Sequence, residues 1–267
     1  MSVTIMYRQV QRLPAAAWPA LLNLERRMDR AEEAAGYPLP RRYRAMVGGE
    51  AAHTRVCTRI FDSYGDFAAL LARRYQDDGL QRLDAEKYSL LEWERDELYY
   101  LDSGSPVPRW MQAISRKPFD PAHLACAIER TDSTPKDLEK LQKDIAAGRI
   151  RVLYRQIQQV PRERWAEKLE QERLSDEVER NGGNPLPLRY RSMHSPMDSH
   201  VRVSEREYDS LEQLCELTER FFSESTPEDA RIMDAEARRQ EFFTWEREEL
   251  YYVDSDSFEP GWMFSAQ

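Results

Sequence analysis

The sequence predicts an α+β fold in which two βαββαβ units pack sheet to sheet into one eight-stranded barrel. The first indication is a repeat, because residues 93–103 (WERDELYYLDS) return almost unchanged as residues 245–255 (WEREELYYVDS). The second is the order of elements, since each unit reads as the ferredoxin-like split βαββαβ arrangement. Such a sheet has helices on one face only, so we expect its other face to be buried against the second sheet.

The elements of the first unit follow from local patterns. A β-branched and aromatic run at 3–11, ending before Pro14, predicts the first strand. Apolar residues at helical spacing after Trp18 predict a helix that stops near Gly36. Residues 42–47 and 54–61 predict a β-hairpin. Ser63 is the expected cap of a second helix, and the repeated segment after Trp93 supplies the fourth strand.

The second unit repeats this pattern at a fixed distance. Tyr7 returns as Tyr154, and the same offset of 147 positions holds as far as the second helix of the unit. We therefore expect two ferredoxin-like repeats, at 1–115 and 151–267, joined by a linker at 116–150. Within this linker, Pro135 at the start of a helical pattern and Gly148 at its end predict a helix.

The composition limits the classes of function. The chain has 267 residues, 41% hydrophobic and 33% charged, with a net charge of −9. This charge argues against nucleic acid and anionic membranes as partners, and no apolar run approaches the roughly 20 residues of a membrane span. Cys57, Cys126 and Cys215 have no metal-ligand spacing, which favours reduced thiols and a cytoplasmic location.

The chain resembles the dimeric α/β-barrel superfamily, in a fused single-chain version. The resemblance rests on the opening Tyr7-Arg8 strand, on the hairpin around Gly48-Gly49 and on the corner between Asp62 and Phe67. It covers both repeats but not the linker, and within the superfamily it is nearest to the NIPSNAP-type branch. Related families include cofactor-free monooxygenases, haem-degrading enzymes, dehydratases and proteins without known activity, so the resemblance leaves the function open.

The candidate ligand-binding residues are those retained in both units on strands. By period-two alternation we expect them to line the barrel and form a polar cavity that orients an anionic or phenolic metabolite. They are Arg55, Arg59, Arg202 and Arg206 on the third strands, and Glu97, Glu249, Tyr99 and Tyr251 on the fourth strands. The alternative interpretation is that these arginines and glutamates form cross-strand pairs that fix the register.

The candidate catalytic residues are two histidines and two tyrosines. His53 and His200 precede the third strands and could transfer protons, although a histidine at this place also commonly hydrogen-bonds a turn. Tyr7 and Tyr154 would donate hydrogen bonds to the ligand. No motif for a nucleotide, zinc or α/β-hydrolase site is present, so we expect no metal and no cofactor.

The sequence therefore favours a small-molecule binding protein or a cofactor-independent enzyme with its site in the barrel. One alternative is a non-catalytic structural or binding protein whose barrel is filled by its own side chains. Another is a haem-binding barrel, in which only His53, His123, His194 or His200 could supply an axial imidazole. The expected partner is a small-molecule ligand, and the sequence leaves a homodimer open.

Overall fold

The structure of the chain is a computed structural model, which describes residues 4–47, 53–101, 151–194, 200–223 and 226–253. The first two ranges form the N-terminal half and the last three form the C-terminal half. The Gly48-Gly49 turn and the linker at 116–150 lie outside the described residues, so the expected linker helix is not tested.

Each half has four strands in the same order. The strands of the N-terminal half are β1 (Ile5–Arg12), β2 (Arg41–Val47), β3 (Thr54–Phe61) and β4 (Trp93–Leu101). Those of the C-terminal half are β5 (Val152–Gln159), β6 (Leu188–His194), β7 (Val201–Tyr208) and β8 (Trp245–Val253). The helices are α1 (Trp18–Ala34), α2 (Tyr64–Gln76), α3 (Asp78–Leu90), α4 (Trp165–Asn181), α5 (Leu211–Phe222) and α6 (Pro227–Arg239).

The segment before the last strand of each half contains two helices where the sequence analysis expected one. Ser63 caps α2 as predicted, its hydroxyl accepting from the backbone amide of Asp66. The helix then breaks at Asp77, whose carboxylate accepts from two amides of the next turn and starts α3. In the C-terminal half, Thr226 and Asp229 form a capping box that starts α6. Each half is therefore βαββααβ.

The eight strands close one antiparallel barrel in the order β1-β3-β2-β8-β5-β7-β6-β4. The two halves join through their edge strands, because β2 pairs with β8 and β4 pairs with β6. This confirms the predicted fold class, an α+β chain whose two sheets meet within one molecule. Closure also removes every free strand edge of the two sheets.

Both faces of the barrel wall are covered. One face points into the barrel, where side chains from the two halves meet, and the other lies beneath the helices. Every residue of β3 is buried for this reason, although only alternate residues face the interior. Met6 and Ile60 contact Ile157 and Val203 of the other half inside the barrel.

Candidate ligand-binding cavity

The third-strand arginines do not line the barrel interior, and this part of the sequence prediction is wrong. Arg55 donates to Glu25 of α1, and Arg59 donates to Glu32 of the same helix at 2.7 Å. In the C-terminal half, Arg202 and Arg206 make the corresponding contacts with α4, through Glu172 and Glu179. All four arginines therefore face the helices on the outside of the barrel wall.

Their partners form an acidic stripe on the first helix of each half, which the sequence analysis did not single out. Glu25, Asp29 and Glu32 are spaced by four and three residues, so they share one helical face. All three are buried. The same stripe recurs on α4 as Glu172, Asp176 and Glu179. Carboxylates at core spacing, kept in both halves, were the signal for buried arginine partners.

The barrel interior holds a buried network contributed by both halves. Arg8 donates to Glu97 at 2.8 Å and to the Tyr251 hydroxyl at 2.9 Å, and Tyr251 donates to Glu249 at 2.6 Å. The mirror-related contacts run from Arg155 to Glu249, from Arg155 to the Tyr99 hydroxyl and from Tyr99 to Glu97. The six side chains are at most 2% exposed.

Four of the predicted ligand-binding residues belong to this network. Glu97, Glu249, Tyr99 and Tyr251 do face the interior, but each already bonds to neighbouring protein groups. The cross-strand pairing that was the alternative interpretation is present, with first-strand arginines in place of third-strand ones. Arg8 and Arg155 were missed because only the third-strand arginines were weighed, although both recur at the common offset.

A cavity of about 310 Å³ lies outside the barrel wall, between the N-terminal sheet and its three helices. Its floor is the outer face of β1, β3 and β4, and its roof is α1, α2 and α3. This volume is at the lower end of the range of small-molecule sites. The sequence analysis expected the cavity within the barrel, whereas the cavity that these residues form lies beneath the helices.

Aromatic and aliphatic side chains form much of the cavity lining. Phe67 of α2 contacts Tyr7 and Phe61, with ring centroids 5.3 Å and 5.2 Å apart. Tyr75 and Tyr88 also line the cavity and remain 69% and 55% exposed, with the Lys87 amine 4.7 Å from the centre of the Tyr88 ring. No residue of α2 is fully buried, so this part of the roof packs lightly on the sheet.

The cationic side chains of the lining are already neutralised by protein carboxylates. Arg59 and Arg74 both bind Glu32, which is fully buried. Burial by itself would raise the pKa of Glu32, but the two guanidinium charges lower it to about 2. Lys87 binds Glu94 at 2.9 Å. An anionic ligand would therefore have to compete with carboxylates that are already in place.

Asp96 of β4 differs from these carboxylates because a neutral group holds it. It accepts a hydrogen bond from the Gln9 amide at 3.3 Å, and the Tyr7 phenol lies close enough to influence its pKa. Arg59 donates to the Gln9 carbonyl oxygen at 3.0 Å, which turns the Gln9 amide toward Asp96. Asp96 is solvent-accessible and lines the cavity, so a ligand can reach it.

The environment of this corner raises the pKa of both partners. Partial desolvation raises the pKa of the Asp96 carboxyl, and the nearby charge of Glu94 adds to the effect. Burial, followed by the charge of Asp96, raises the pKa of the Tyr7 phenol, which keeps its proton at neutral pH. Tyr7 thus presents a protonated hydroxyl at the cavity wall, outside the barrel.

The described residues beneath α4 and α6 of the C-terminal half enclose a space of about 10 Å³, roughly the volume that holds one water molecule. Lys168, Gln171 and Arg239 line this space, at positions that correspond to Leu21, Leu24 and Lys87. On the outer face of the same sheet, Tyr154 donates to Glu248. A first-strand tyrosine beside a fourth-strand carboxylate thus occurs in both halves.

His53 and His200 are exposed turn residues outside the cavity lining. Both have φ of 74°, a left-handed conformation that is unusual for a residue other than glycine. Their backbone carbonyls accept from the amides of Leu13 and Val160, at 3.2 Å and 3.1 Å. The geometry explains both histidines by the turn and gives no support to their expected role in proton transfer.

We expect His53→Gly and His200→Gly to fold normally and to gain up to about 1 kcal/mol of stability, because glycine adopts positive φ without steric cost. Chemical denaturation of each variant measures the change in the free energy of unfolding. Ligand binding to the cavity should be unaffected. Loss of binding in His53→Gly alone, with stability preserved, would show that the imidazole of His53 takes part in binding.

Within the described residues, no group of three or more histidine, cysteine, aspartate or glutamate side chains is arranged to hold a metal ion. No helix in the same ranges has the length and apolar character needed to cross a membrane. Cys57 is a buried free thiol whose pKa is raised by burial. The described part of the chain therefore directs attention to Asp96, Tyr7 and the aromatic lining.

Solved structures with the same fold share little sequence with this chain. A proposed monooxygenase from Fusobacterium nucleatum superposes with a TM-score of 0.54 at 10% identity, covering 94% of this chain and 93% of its own. A proposed monooxygenase from Lactobacillus acidophilus gives 0.55 at 5% identity, covering 95% of each chain. An anthrone oxidase-like protein gives 0.51 at 11% identity, covering 95% and 92%.

No protein-family model matches the sequence, and no curated protein sequence matches it. The structural neighbours and the closed barrel together show a dimeric α/β-barrel fold, here completed within one chain. At these identities the likeness shows the fold alone.

Proposed function

We propose that this chain binds a small aromatic molecule, phenolic or anionic, in the cavity of its N-terminal half. The observation that carries the proposal is the 310 Å³ cavity, which has accessible tyrosine rings and an accessible carboxylate in its lining. Concave, largely apolar sites with a few oriented polar groups are typical of small-molecule binding.

Catalysis without a cofactor is the enzymatic form of this proposal. The neighbours described as monooxygenases and as anthrone oxidase-like make oxidation of an aromatic compound the first reaction to test. Tyr7 would donate a hydrogen bond and Asp96 would accept one from the bound molecule. Arg59 would act indirectly, by orienting Gln9.

A structural role for the barrel itself is the second candidate, and the interior network favours it. Arg8, Arg155 and their carboxylate partners occupy the space that the sequence analysis assigned to a ligand. This candidate and the first are compatible, since the cavity lies on the other side of the wall.

Haem binding has less support from the described lining. His53 and His200 are exposed on turns away from the cavity. His123 and the side chain of His194 lie outside the described residues. The remaining donors of the lining include Tyr7 and Cys57, which are engaged by Asp96 and Gln11. Absorbance of the purified protein in the Soret region tests this alternative directly.

We further propose that the chain belongs to the NIPSNAP-type branch and arose by duplication, with repeats at 1–115 and 151–267 and a linker at 116–150. The constant offset between Tyr7 and Tyr154 supports duplication. The free thiols of Cys57 and Cys215 are compatible with the expected cytoplasmic location. A homodimer stays a proposal, which sedimentation velocity tests.

Filling the cavity should abolish binding. Leu70 of α2 lines the cavity, whereas Leu217 has the equivalent position on α5 of the other half and does not line it. We expect Leu70→Trp to weaken binding of 2-naphthol or 2-naphthoate at least tenfold, measured by titration calorimetry, because the indole occupies the ligand volume. Leu217→Trp should bind as the wild type does. If the wild type binds neither probe, or Leu70→Trp binds equally well, the cavity is not the site.

A further inference from the structure

The charge balance of the cavity distinguishes between the two ligand classes of the proposed function. The lining and its immediate partners include paired cations, each held by at least one carboxylate. These pairs are Arg42 with Asp29, Arg59 with Glu32, Arg74 with Glu32 and Asp84, and Lys87 with Glu94. Asp96 is a lining carboxylate that accepts instead from a neutral donor, the Gln9 amide.

We infer that Asp96 is the specificity-determining residue of the cavity and selects neutral hydroxy-aromatic ligands over aromatic carboxylates and aromatic cations. This inference rests on the proposed function, because it concerns what the same cavity accepts. A ligand hydroxyl can donate to the Asp96 carboxylate, which accepts more bonds than the Gln9 amide supplies. A donor to an ionised acceptor makes a stronger bond than a neutral pair does.

An aromatic carboxylate is disfavoured at the same place. It would place a further negative charge beside those of Asp96 and Glu94, and like charges in a partly desolvated site repel strongly. Lys87 cannot compensate without leaving Glu94, since its amine already lies 2.9 Å from that carboxylate. The arginines of the lining are likewise engaged by Glu32 and Asp84.

An aromatic cation would gain attraction from Asp96 but would share the cavity with several fixed positive charges. The guanidinium groups of Arg59 and Arg74 and the amine of Lys87 all belong to the lining. A neutral donor avoids both conflicts. The exposed rings of Tyr75 and Tyr88 can then pack against its aromatic face.

The position of the hydroxyl acceptor is fixed by the strands. Gln9 pairs with Asp96 across β1 and β4 and with Cys57 across β1 and β3, so the three side chains form one row on the outer face. Tyr7 lies in the next row on the same face. The acceptor is therefore built on the sheet, while the aromatic groups of the roof lie on α2 and α3.

The chain contains a matched control for this site. Glu248 lies opposite Gln156 on β8, as Asp96 lies opposite Gln9 on β4, and Tyr154 donates to it. Glu248→Gln changes the same kind of group without touching the cavity, so it separates local recognition from any global effect of charge.

The experiment compares four naphthalene probes by titration calorimetry at neutral pH. They are 2-naphthol, 2-methoxynaphthalene, 2-naphthoate and 2-naphthylmethylammonium. We expect wild type to bind 2-naphthol about tenfold more tightly than the methoxy compound, which lacks the donor, and more tightly than either ion. Asp96→Asn should lose most of this preference, and Asp96→Ala should lose all of it. Glu248→Gln should keep it.

The outcomes distinguish failure of the proposed function from failure of the inference about Asp96. If the methoxy compound and 2-naphthol bind equally and Leu70→Trp abolishes both, the cavity binds ligands but Asp96 does not select them. Tighter binding of 2-naphthoate than of 2-naphthol would overturn the inference in favour of an anionic ligand. Equal loss of preference in Glu248→Gln and Asp96→Asn would also overturn it. If no probe binds, the proposed function fails and the inference fails with it.

Discussion

Replacing Arg155 by methionine should lower the free energy of unfolding by about 3–5 kcal/mol, because the change takes a partner cation away from buried carboxylates at the centre of the barrel. Arg155 is fully buried and lies within 3.0 Å of both Glu249 and Glu205. Domains are commonly stable by only about 5–15 kcal/mol. Chemical denaturation followed by tyrosine and tryptophan fluorescence measures the loss, which should be among the largest of any single substitution here.

The effect should depend on charge, which a second variant tests. Adding Glu249→Gln to Arg155→Met removes one of the uncompensated charges, so the double variant should recover part of the lost stability. Arg173→Met is the exposed control, since its pair with Glu170 lies in solvent. A loss in Arg155→Met no greater than in Arg173→Met would show that the network does not hold the barrel together.

The same network predicts a pH dependence. Burial alone would raise the pKa of Glu249, but the charges of Arg155 and Arg8 lower it to about 2, well below its usual 4.5. A carboxyl whose pKa is depressed on folding adds stability above its unfolded pKa and loses it as the pH falls through the folded pKa. Wild-type stability should therefore fall between pH 4.5 and 2, and Arg155→Met should show a shallower fall.

Replacing Arg206 by methionine should also cost about 3–5 kcal/mol, and it should cost more than the equivalent Arg59→Met. Arg206 binds both carboxylate oxygens of Glu179, at 2.6 Å and 2.7 Å. In the N-terminal half, Glu32 binds Arg74 as well as Arg59. The position of Arg74 is occupied by Phe221 in the C-terminal half. Glu179 therefore lacks the counterpart of Arg74 when Arg206 is removed.

Comparison of variants in the two halves isolates this difference. Arg59→Met and Arg74→Met should each be milder than Arg206→Met, while the double variant Arg59→Met/Arg74→Met should approach it. Glu179→Gln combined with Arg206→Met should recover stability. If Arg206→Met left folding intact and changed only ligand binding, the arginine would serve a ligand and not the fold. Equal losses in the three single variants would contradict the role of the second arginine.

Much of the fold was accessible from local sequence patterns. The run of β-branched and polar residues between Thr54 and Phe61 gave the bounds of β3 that the structure has, and Ser63 was correctly placed as the cap of α2. The repeat and the one-sided cover of each sheet led to the closed barrel. The break at Asp77 was missed, because a helix that restarts after one residue looks continuous in apolar spacing.

The candidate site was only partly accessible. Tyr7 was placed on a ligand-facing strand, and it does line the cavity. Asp96 was passed over because the sequence analysis favoured residues that are retained in both halves. Its neighbour Glu97 returns as the identical residue Glu249, whereas Asp96 returns as Glu248. The cavity of 310 Å³ depends on how α1 to α3 pack, and strand periodicity contains no information on that packing.

The sequence by itself determined the two halves, their strands, and which residues of each strand share a face. Only the tertiary structure decided which face points into the barrel. The reason is that both faces of β3 are buried, so hydrophobicity does not distinguish the interior from the helix side. Arg59 and Glu97 both looked like interior residues, yet β1 separates their strands and they face opposite sides of the wall. Register, set by pairing between distant strands, assigned one to the helices and the other to the barrel.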